Sequence, residues 1–278
     1  MLKVSHNEGF FSCCSVILEK IIEYFNITCG EFPEKVCTKD SFGLYKPLKY
    51  ETKDIMYEFF MPPSGGDEAQ FSTPRPPVDY FHHYQYNNYK RFDYKNITPF
   101  IEKYFQPSEE IQNIIEFLEY TYGIDYKNTC VLFYRGNDKA TETTLPTYRQ
   151  MAERAIKIYN ENPNIQFLIQ SDETEFIEMM TLLFPDNSFY FKNEIRHIKR
   201  AREHQVDKTA AECIHCKKES NFKFIKIFLA ITIIMSKCKY VVCSSGNCSM
   251  WIMFYRGNAN DVFQYVKHSP EYTNGAWL

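Results

Sequence analysis

The chain has 278 residues, of which 44% are hydrophobic, and a formal net charge of −3. This length provides a buried core for one large domain or for two of ordinary size. The 32 basic residues are balanced by 35 acidic ones, so the sequence lacks the basic excess typical of nucleic-acid-binding proteins, and we expect no nucleic acid partner. Aromatic residues make up 17% of the chain, which suits sugar stacking but also follows from a coding bias toward Asn, Ile, Lys and Tyr.

The N-terminus shows no signal-peptide pattern, because His6, Asn7 and Glu8 interrupt the apolar run that such a peptide needs. The longest apolar run, residues 227–235, is far shorter than the roughly 20 residues of a membrane span. We therefore expect a soluble cytoplasmic protein without a membrane span. Its 10 cysteines are then expected to stay reduced.

The first predicted elements are a short strand at residues 2–5 and a helix over residues 10–25, where apolar residues recur at helical spacing. The turn between them contains His6, Asn7 and Gly9. A helix that starts after such a turn provides an anion site or a cleft for a second substrate, so His6 and Asn7 are candidate acceptor-binding residues. His6 is either a base, a sugar-binding group or a plain turn histidine.

Residues 26–54 contain Pro33, Gly43 and Pro47 and predict short strands and loops, and residues 55–61 predict another strand. The following segment, residues 62–68, has the composition of a loop. A carboxylate on a loop beside a cleft is suited to general-base catalysis, with Asp67 as first candidate and Asp79 as second. A solvated acidic loop tip is the alternative.

Residues 78–94 form an aromatic cluster that includes His82 and His83. The two histidines are too short a pattern for a metal site, and the cluster is either a loop over a ligand or an ordinary interdomain surface. A helix over residues 109–122 is predicted to start at a capping Ser108. We place a domain boundary near Pro107, which divides the chain into an N-terminal acceptor-side domain, 1–107, and a C-terminal domain, 108–278.

The C-terminal domain shows strands alternating with helices, which predicts an α/β fold with a doubly wound parallel sheet. The predicted strands cover residues 130–134, 166–170, 188–191 and 240–243. The predicted helices cover residues 146–160, 173–184, 222–236 and 248–255.

Polar groups follow the ends of three of these strands. Arg135 follows the first, where its planar fork of donors suits phosphate oxygens, although a surface pair with Asp138 is the alternative. Ser171 and Asp172 end the second strand and need be no more than a helix cap. After the strand at residues 240–243 come Ser244, Ser245, Gly246 and Asn247. Hydroxyls and backbone N–H groups at a helix start suit a diphosphate, and an ordinary serine cap is again the alternative.

Residues 192–218 are basic and poorly periodic, which fits either a phosphate-facing loop or a solvated segment. Cys213 and Cys216 form a Cys-x-x-Cys pair within them. A closed zinc site needs about four ligands, and the spacing of Cys243 and Cys248 does not supply a second pair.

Residues 134–139 (YRGNDK) resemble the Arg-x-x-Asp-Lys segment of the α-1,6-fucosyltransferases, a group that includes the protein O-fucosyltransferases. The resemblance extends over most of residues 130–256. It implies a GT-B fold, in which two Rossmann-like domains enclose a cleft. In that family the arginine grips the diphosphate of a nucleotide sugar, which implies this role for Arg135, with Asp138 and Lys139 in the same segment.

The other strand ends match the same family. Ser171 and Asp172 resemble a Thr-Asp pair in which the aspartate recognises the nucleotide base, and Ser244 and Ser245 resemble a Ser-Ser motif that contacts the donor. The sequence contains no Asp-x-Asp triplet, so a glycosyltransferase of this kind is expected to work without metal or other cofactor. In an inverting transfer, Asp67 would deprotonate the acceptor.

The donor is left open, because Gly136 stands where α-1,6-fucosyltransferases usually carry a second arginine. Size, solubility and coding bias resemble glycosyltransferases that chloroviruses encode for their capsid glycans. That resemblance implies a xylosyltransferase in the host cytoplasm that uses UDP-xylose and acts on the fucose of a viral N-glycan. The alternatives are a GDP-fucose-dependent fucosyltransferase and a catalytically inactive glycan-binding protein.

Overall fold

The structure is a computed structural model that describes residues 1–63, 74–136, 139–140, 142–192, 218–269 and 272–278. Four predicted candidates, Asp67, Asp138, Cys213 and Cys216, lie outside these ranges. The acidic loop and most of the basic segment are outside them as well.

A six-stranded sheet in the order β5-β4-β3-β6-β7-β8 forms the centre of the described part of the chain. Its strands are β3 (Thr129–Tyr134), β4 (Gln166–Ser171), β5 (Ser188–Phe189), β6 (Tyr240–Ser244), β7 (Val262–Ser269) and β8 (Tyr272–Trp277). Neighbouring strands are parallel except at the edge, where β8 pairs with β7 in antiparallel fashion. The predicted α/β class with a parallel sheet is confirmed.

Helices cover both faces of this sheet. They are α1 (Phe10–Ile27), α2 (Tyr94–Tyr104), α3 (Glu109–Tyr122), α4 (Tyr148–Glu161), α5 (Thr174–Leu183), α6 (Lys218–Lys237) and α7 (Asn247–Arg256). All six residues of β3 are buried, and successive side chains of the strand enter different cores. Val131 and Phe133 join the core of α1, α3, α6 and α7, whereas Cys130 and Leu132 join that of α4 and α5. This alternation is what a strand buried on both faces requires.

The N-terminal part contains a separate two-stranded parallel sheet, in which β1 (Leu2–Lys3) pairs with β2 (Val36–Cys37). Helix α1 follows β1, as predicted, and its apolar face is continuous with the core under β3 and β6. The boundary near Pro107 remains a prediction. No described helix has the length and apolar composition needed to cross a membrane.

The strand predicted at residues 55–61 is wrong, since Met56–Glu58 forms a 3₁₀ helix. Ile55, Met56, Phe59 and Phe60 are all buried, which is the spacing of a helical turn rather than the alternation of a strand. The Asp54 carboxylate fixes the turn by accepting a hydrogen bond from the Met56 N–H at 3.1 Å.

Other differences have local causes. Helix α2 was not predicted because it contains Pro99, which removes a backbone donor inside the helix. Ser108 precedes α3 without a side-chain cap bond, because its hydroxyl donates to the Glu58 carbonyl at 3.3 Å. The β7–β8 hairpin was also not predicted.

Candidate functional site

Three neighbouring strands end at one edge of the sheet and carry the polar groups singled out in the sequence. β3 and β4 pair with Tyr134 opposite Ser171, and β6 runs parallel to β3 on its other side. Because the carboxyl ends of parallel strands share an edge, Arg135, Asp172 and Ser245 follow three adjacent strand ends. The structure therefore brings the three predicted segments together.

Arg135 is held between Asp172, which follows β4, and Cys248, at the start of α7. Its Nε lies 3.0 Å from Asp172 Oδ2, and its Nη1 donates to Cys248 Sγ at 3.8 Å. The other Asp172 oxygen accepts the Gly136 N–H at 3.0 Å. The carboxylate thus orients both the guanidinium and the backbone that follows it, and the guanidinium is directed at the start of α7.

The loop from Ser244 to Asn247 is fixed by bonds to other elements. The Ser245 hydroxyl donates to the Tyr265 carbonyl at 2.8 Å and accepts from Gln264 Nε2 at 2.9 Å. The Ser244 hydroxyl is fully buried, and no hydrogen-bond partner for it occurs among the described residues. The two serines therefore shape the loop from inside.

Gly246 is the point at which this loop turns into α7. Its φ of +153° favours glycine, because a side chain is strained in that conformation. The Gly246 N–H donates to the Tyr89 hydroxyl at 3.0 Å, so a buried tyrosine of the aromatic cluster holds the turn. Asn247 Oδ1 accepts the Ser15 hydroxyl at 2.7 Å, which ties the same turn to α1.

The first turn of α7 presents backbone donors toward Arg135. The first bond of the helix runs from the Met250 N–H to the Gly246 carbonyl at 3.0 Å. The N–H groups of residues 247–249 precede it and have no carbonyl of their own helix to bind. Together with the helix dipole and the guanidinium, they create a region that favours an anion.

The start of α1 lies near the same arginine. The Phe10 N–H, in the first turn of α1, donates to the Tyr45 hydroxyl at 3.0 Å. Burial raises the pKa of this phenol, and the Arg135 charge nearby acts in the opposite direction. Cys13, on the same turn of α1, is buried, and burial raises the pKa of its thiol to about 12. The neutral thiol of Cys13 is thus a packing group.

Gly136 leaves room for a carboxylate. A Cβ at this position would lie 2.2 Å from Glu173 Oε1, far inside any real contact. Glu173 is buried, and its carboxylate accepts a hydrogen bond from the Tyr148 hydroxyl. Its backbone N–H donates to Ser171 Oγ at 3.0 Å. The space next to Gly136 is therefore occupied by Glu173.

Lys139 lies beyond the arginine on the β3–α4 connection. Its Nζ contacts Glu142 Oε1 at 2.5 Å, and the other Glu142 oxygen accepts the Tyr86 hydroxyl at 2.7 Å. Burial alone would raise the pKa of Glu142, but the bond from Lys139, its charge and the Tyr86 bond hold that pKa below its ordinary value. The Lys139 ammonium is thus paired with a carboxylate, and its backbone N–H donates to the Gly136 carbonyl at 2.9 Å.

The predicted acceptor-side residues His6, Asn7 and Asp79 bond to different neighbours. His6 Nε2 is 2.9 Å from Ser12 Oγ, and burial lowers the pKa of this histidine. Asn7 fixes a neighbouring loop, since its Oδ1 accepts the Gly43 N–H at 2.8 Å. Asp79 is exposed and accepts the Tyr84 hydroxyl at 2.8 Å.

A cavity of about 870 Å³ lies elsewhere, at the start of α6. Tyr50, Glu110, Phe222 and Lys226 are among its lining residues, and Lys226 is ion-paired to Glu110 at 2.5 Å. None of the strand-end residues lines it. We place the candidate site at the strand ends, because the phosphate-binding groups converge there. Across the described ranges, no group of three or more His, Cys, Asp or Glu residues is placed to hold a metal ion.

Several residues of this edge were not singled out in the sequence. Glu173 and Cys248 were interpreted only as the starts of helices, Cys248 having been set aside as a zinc ligand, and Tyr89 only as part of an aromatic cluster. Gln264, which bonds to both Ser245 and the Tyr89 N–H, lies in the unpredicted hairpin. Its contacts join residues that are far apart in sequence, and no local pattern indicates them.

Solved structures that match this chain include α-1,6-fucosyltransferases, but their similarity to it is distant. No family model matches the chain, and no curated protein matches it. Among solved structures, NodZ α-1,6-fucosyltransferase co-crystallised with GDP shares 12% identity at a TM-score of 0.38, covering 62% of this chain and 48% of that one. The same enzyme soaked with GDP-fucose shares 10% identity at a TM-score of 0.39, covering 68% and 54%.

A further structure, fucosyltransferase NodZ from Bradyrhizobium, shares 12% identity at a TM-score of 0.37, covering 62% of this chain and 48% of that one. The chain thus spans about half the length of the solved structures it matches.

Proposed function

We propose that the chain is an inverting glycosyltransferase that moves a sugar from a nucleotide diphosphate donor to a glycan acceptor. The observation that carries this proposal is the position of Arg135, fixed by Asp172 and directed at the first turn of α7. A guanidinium and the N–H groups of a helix's first turn, on adjacent strand ends, are donors that suit a diphosphate.

The chemistry follows from where charge develops. When the bond between the sugar and the diphosphate breaks, negative charge accumulates on the leaving phosphate. Arg135 and the N–H groups of residues 247–249 are positioned in advance to stabilise that charge, which is the usual way in which such sites accelerate group transfer. The transfer is proposed to need no metal, since these cationic and backbone groups supply the positive potential.

The other roles are proposed for residues that the sequence analysis singled out. Ser244 and Ser245 keep the α7 turn in shape, and Asp172 orients Arg135 while lying where the base of the donor would be recognised. Asp67 is the proposed general base, with Asp79 as second choice. His6 and Asn7 are proposed to line the acceptor side at the start of α1.

UDP-xylose is the proposed donor. Glu173 fills the space beside Gly136, so this strand end has no room for the second arginine that the resembling fucosyltransferases usually carry. A donor other than GDP-fucose is consistent with that difference. The proposed acceptor is the fucose of a viral N-glycan, modified in the cytoplasm of the host cell. A GDP-fucose-dependent fucosyltransferase is the alternative enzyme.

The test is donor binding followed by turnover. In thermal-shift assays without added metal, UDP and UDP-xylose are expected to raise the melting temperature more than GDP and GDP-fucose, because a ligand bound only by the folded state stabilises it. Release of UDP from UDP-xylose, with methyl α-L-fucoside as acceptor and EDTA present, is then the activity measurement.

Arg135→Ala is expected to lower the rate of nucleotide release by about 10² to 10³, as loss of a transition-state charge partner does elsewhere. Arg149→Ala is the matched control, since the Arg149 side chain is 86% exposed and, among the described residues, its ion pair is with Glu153 on the same helix. Stabilisation by guanosine compounds instead would favour the fucosyltransferase. A chain that binds methyl α-L-fucoside but no nucleotide would be a glycan-binding protein, and the proposal would be wrong.

A further inference from the structure

Glu19 and His82 form a carboxylate–imidazole pair that none of the roles above uses. Glu19 lies on α1, and His82 begins the 3₁₀ helix His82–Tyr86. Glu19 Oε2 is bonded to His82 Nδ1 and also accepts the His82 backbone N–H at 2.8 Å. The His82 side chain remains 28% exposed and the Glu19 side chain 15%, so the pair is accessible from outside the fold.

An aromatic surface adjoins this pair. The Phe81 ring is 43% exposed, and its centroid lies 4.7 Å from that of His82. The His83 ring contacts both, with its centroid 4.0 Å from that of His82 and 5.1 Å from that of Phe81. Other titratable groups lie near the pair. The His82 charge contributes, after burial, to lowering the pKa of His6, and the Glu19 charge contributes, after burial, to raising the pKa of Tyr80.

The segment that carries His82 is fastened to the donor-binding loop. The Tyr89 hydroxyl accepts the Gly246 N–H at 3.0 Å, and Gln264 bonds to both the Tyr89 N–H and the Asn87 carbonyl at 2.9 Å. The Tyr86 hydroxyl reaches Glu142 on the connection that follows Arg135. These bonds fix the position of the segment that carries His82 relative to the α7 turn.

Helix α1 supplies a second link between the two. Ser15, one turn before Glu19, bonds to Asn247 at the start of α7. The imidazole therefore lies along the same helix that contacts the proposed phosphate site.

We propose that Phe81 and His82 form the acceptor subsite, with Glu19 behind His82, and that His82 rather than Asp67 is the catalytic base. The Phe81 ring packs against the apolar C–H face of a sugar. His82 Nε2 accepts the proton of the attacking hydroxyl while the oxygen forms a bond to the anomeric carbon of the donor. The bond from that carbon to the phosphate oxygen breaks, and its electron pair leaves with the nucleoside diphosphate. This inference rests on the proposed function and deepens it.

Glu19 is a positioning residue in this arrangement. Its bond to Nδ1 keeps the proton of the neutral imidazole on that nitrogen and leaves the lone pair on Nε2 for the acceptor. The carboxylate also stabilises the imidazolium that forms during transfer. Glu19 thus acts through His82 and does not touch the substrate.

The experiment compares His82→Gln with His83→Gln, two neighbouring histidines of which only the first is bonded to Glu19. The probes are UDP-xylose and GDP-fucose, with methyl α-L-fucoside or water as acceptor, and the rate of nucleotide release is measured. His82→Gln is expected to lower that rate by about 10² or more, the range of general-base catalysis, with donor-induced thermal shifts unchanged. His83→Gln is expected to stay within about twofold of wild type.

The positioning role has its own readout, which does not depend on turnover. ¹⁵N NMR of the wild type is expected to show His82 as the tautomer protonated at Nδ1, and Glu19→Gln to reduce that preference together with the rate. Phe81→Ala is expected to raise the KM for methyl α-L-fucoside more than it lowers kcat.

The outcomes separate this inference from the one on which it rests. A wild-type chain that neither binds nor cleaves a nucleotide sugar would overturn both. A wild type that is active, with His82→Gln within threefold of it, would overturn the base assignment alone. Loss of activity in Asp67→Asn but not in His82→Gln would move the base to Asp67.

Discussion

At the scale of single residues, Gly136 is a position that has no room for a side chain. Any side chain there collides with Glu173, which is buried and bonded to Tyr148. We expect Gly136→Ala to destabilise the protein by about 1–3 kcal/mol, the usual cost of overpacking a filled site. Urea unfolding of the variant measures this cost.

A double-mutant cycle tests the stated cause. Glu173→Ala removes the carboxylate, so Gly136→Ala should cost much less in that background than in the wild type. If Gly136→Ala costs less than about 0.5 kcal/mol on its own, or costs the same in both backgrounds, the close approach of Glu173 does not explain the glycine.

The sequence indicated the individual residues of the site better than it indicated their partners. Arg135 could be placed at a strand end from the apolar run before it, and Asp172 from the next strand. That Asp172 bonds to Arg135, and not to a surface group, depends on β3 and β4 being neighbours. Strand order is a tertiary property, which residue patterns in one chain do not determine.

At the scale of elements, the connection between the aromatic segment and the α7 turn is the main finding. Tyr89 is fully buried, and its hydroxyl accepts the Gly246 N–H. In Tyr89→Phe that N–H loses its partner inside the protein, which typically costs about 1–3 kcal/mol. We also expect weaker stabilisation by nucleotide, because the turn that presents the α7 donors is no longer fixed.

Tyr104→Phe is the control for this prediction. Tyr104 is equally buried, and its hydroxyl donates to the Pro33 carbonyl at 2.8 Å and not to a residue of the α7 turn. Both variants should have lower melting temperatures, measured by circular dichroism, but the thermal shift with donor should fall only in Tyr89→Phe. Equal donor shifts in the two variants would mean that Tyr89 stabilises the fold without shaping the site.

Elements whose buried residues follow a single pattern were predicted well, and elements with a mixed pattern were not. The strands at residues 130–134 and 166–170 were located within a residue or so because they are buried almost throughout. The helix at residues 109–122 was located as well because its buried residues recur at helical spacing. Residues 55–61 are apolar enough for a strand, but they are too short for their helical spacing to be distinguished. In α2, Pro99 concealed a helix that packing maintains.

At the scale of the whole molecule, the core crosses the predicted domain boundary. Trp251 on α7 packs against Phe11, with ring centroids 6.0 Å apart, and against Phe105, at 4.8 Å. Its indole N–H donates to Ser15 Oγ at 2.9 Å. Residues from both sides of Pro107 thus share a single buried cluster. The boundary near Pro107 was predicted from prolines, which mark breaks in the chain, and it stays a prediction that an unfolding experiment can test.

This continuity predicts one cooperative unfolding transition. Trp251 and Trp277 are the two tryptophans of the chain, so in a Trp277→Phe background the fluorescence reports on Trp251 alone. We expect its unfolding curve in urea to coincide with that of far-ultraviolet circular dichroism. Trp251→Ala should destabilise the whole protein by about 3–5 kcal/mol, because it opens a cavity between the two parts. Two separate calorimetric transitions, with only one shifted by Trp251→Ala, would show instead that residues 1–107 and 108–278 fold as independent domains.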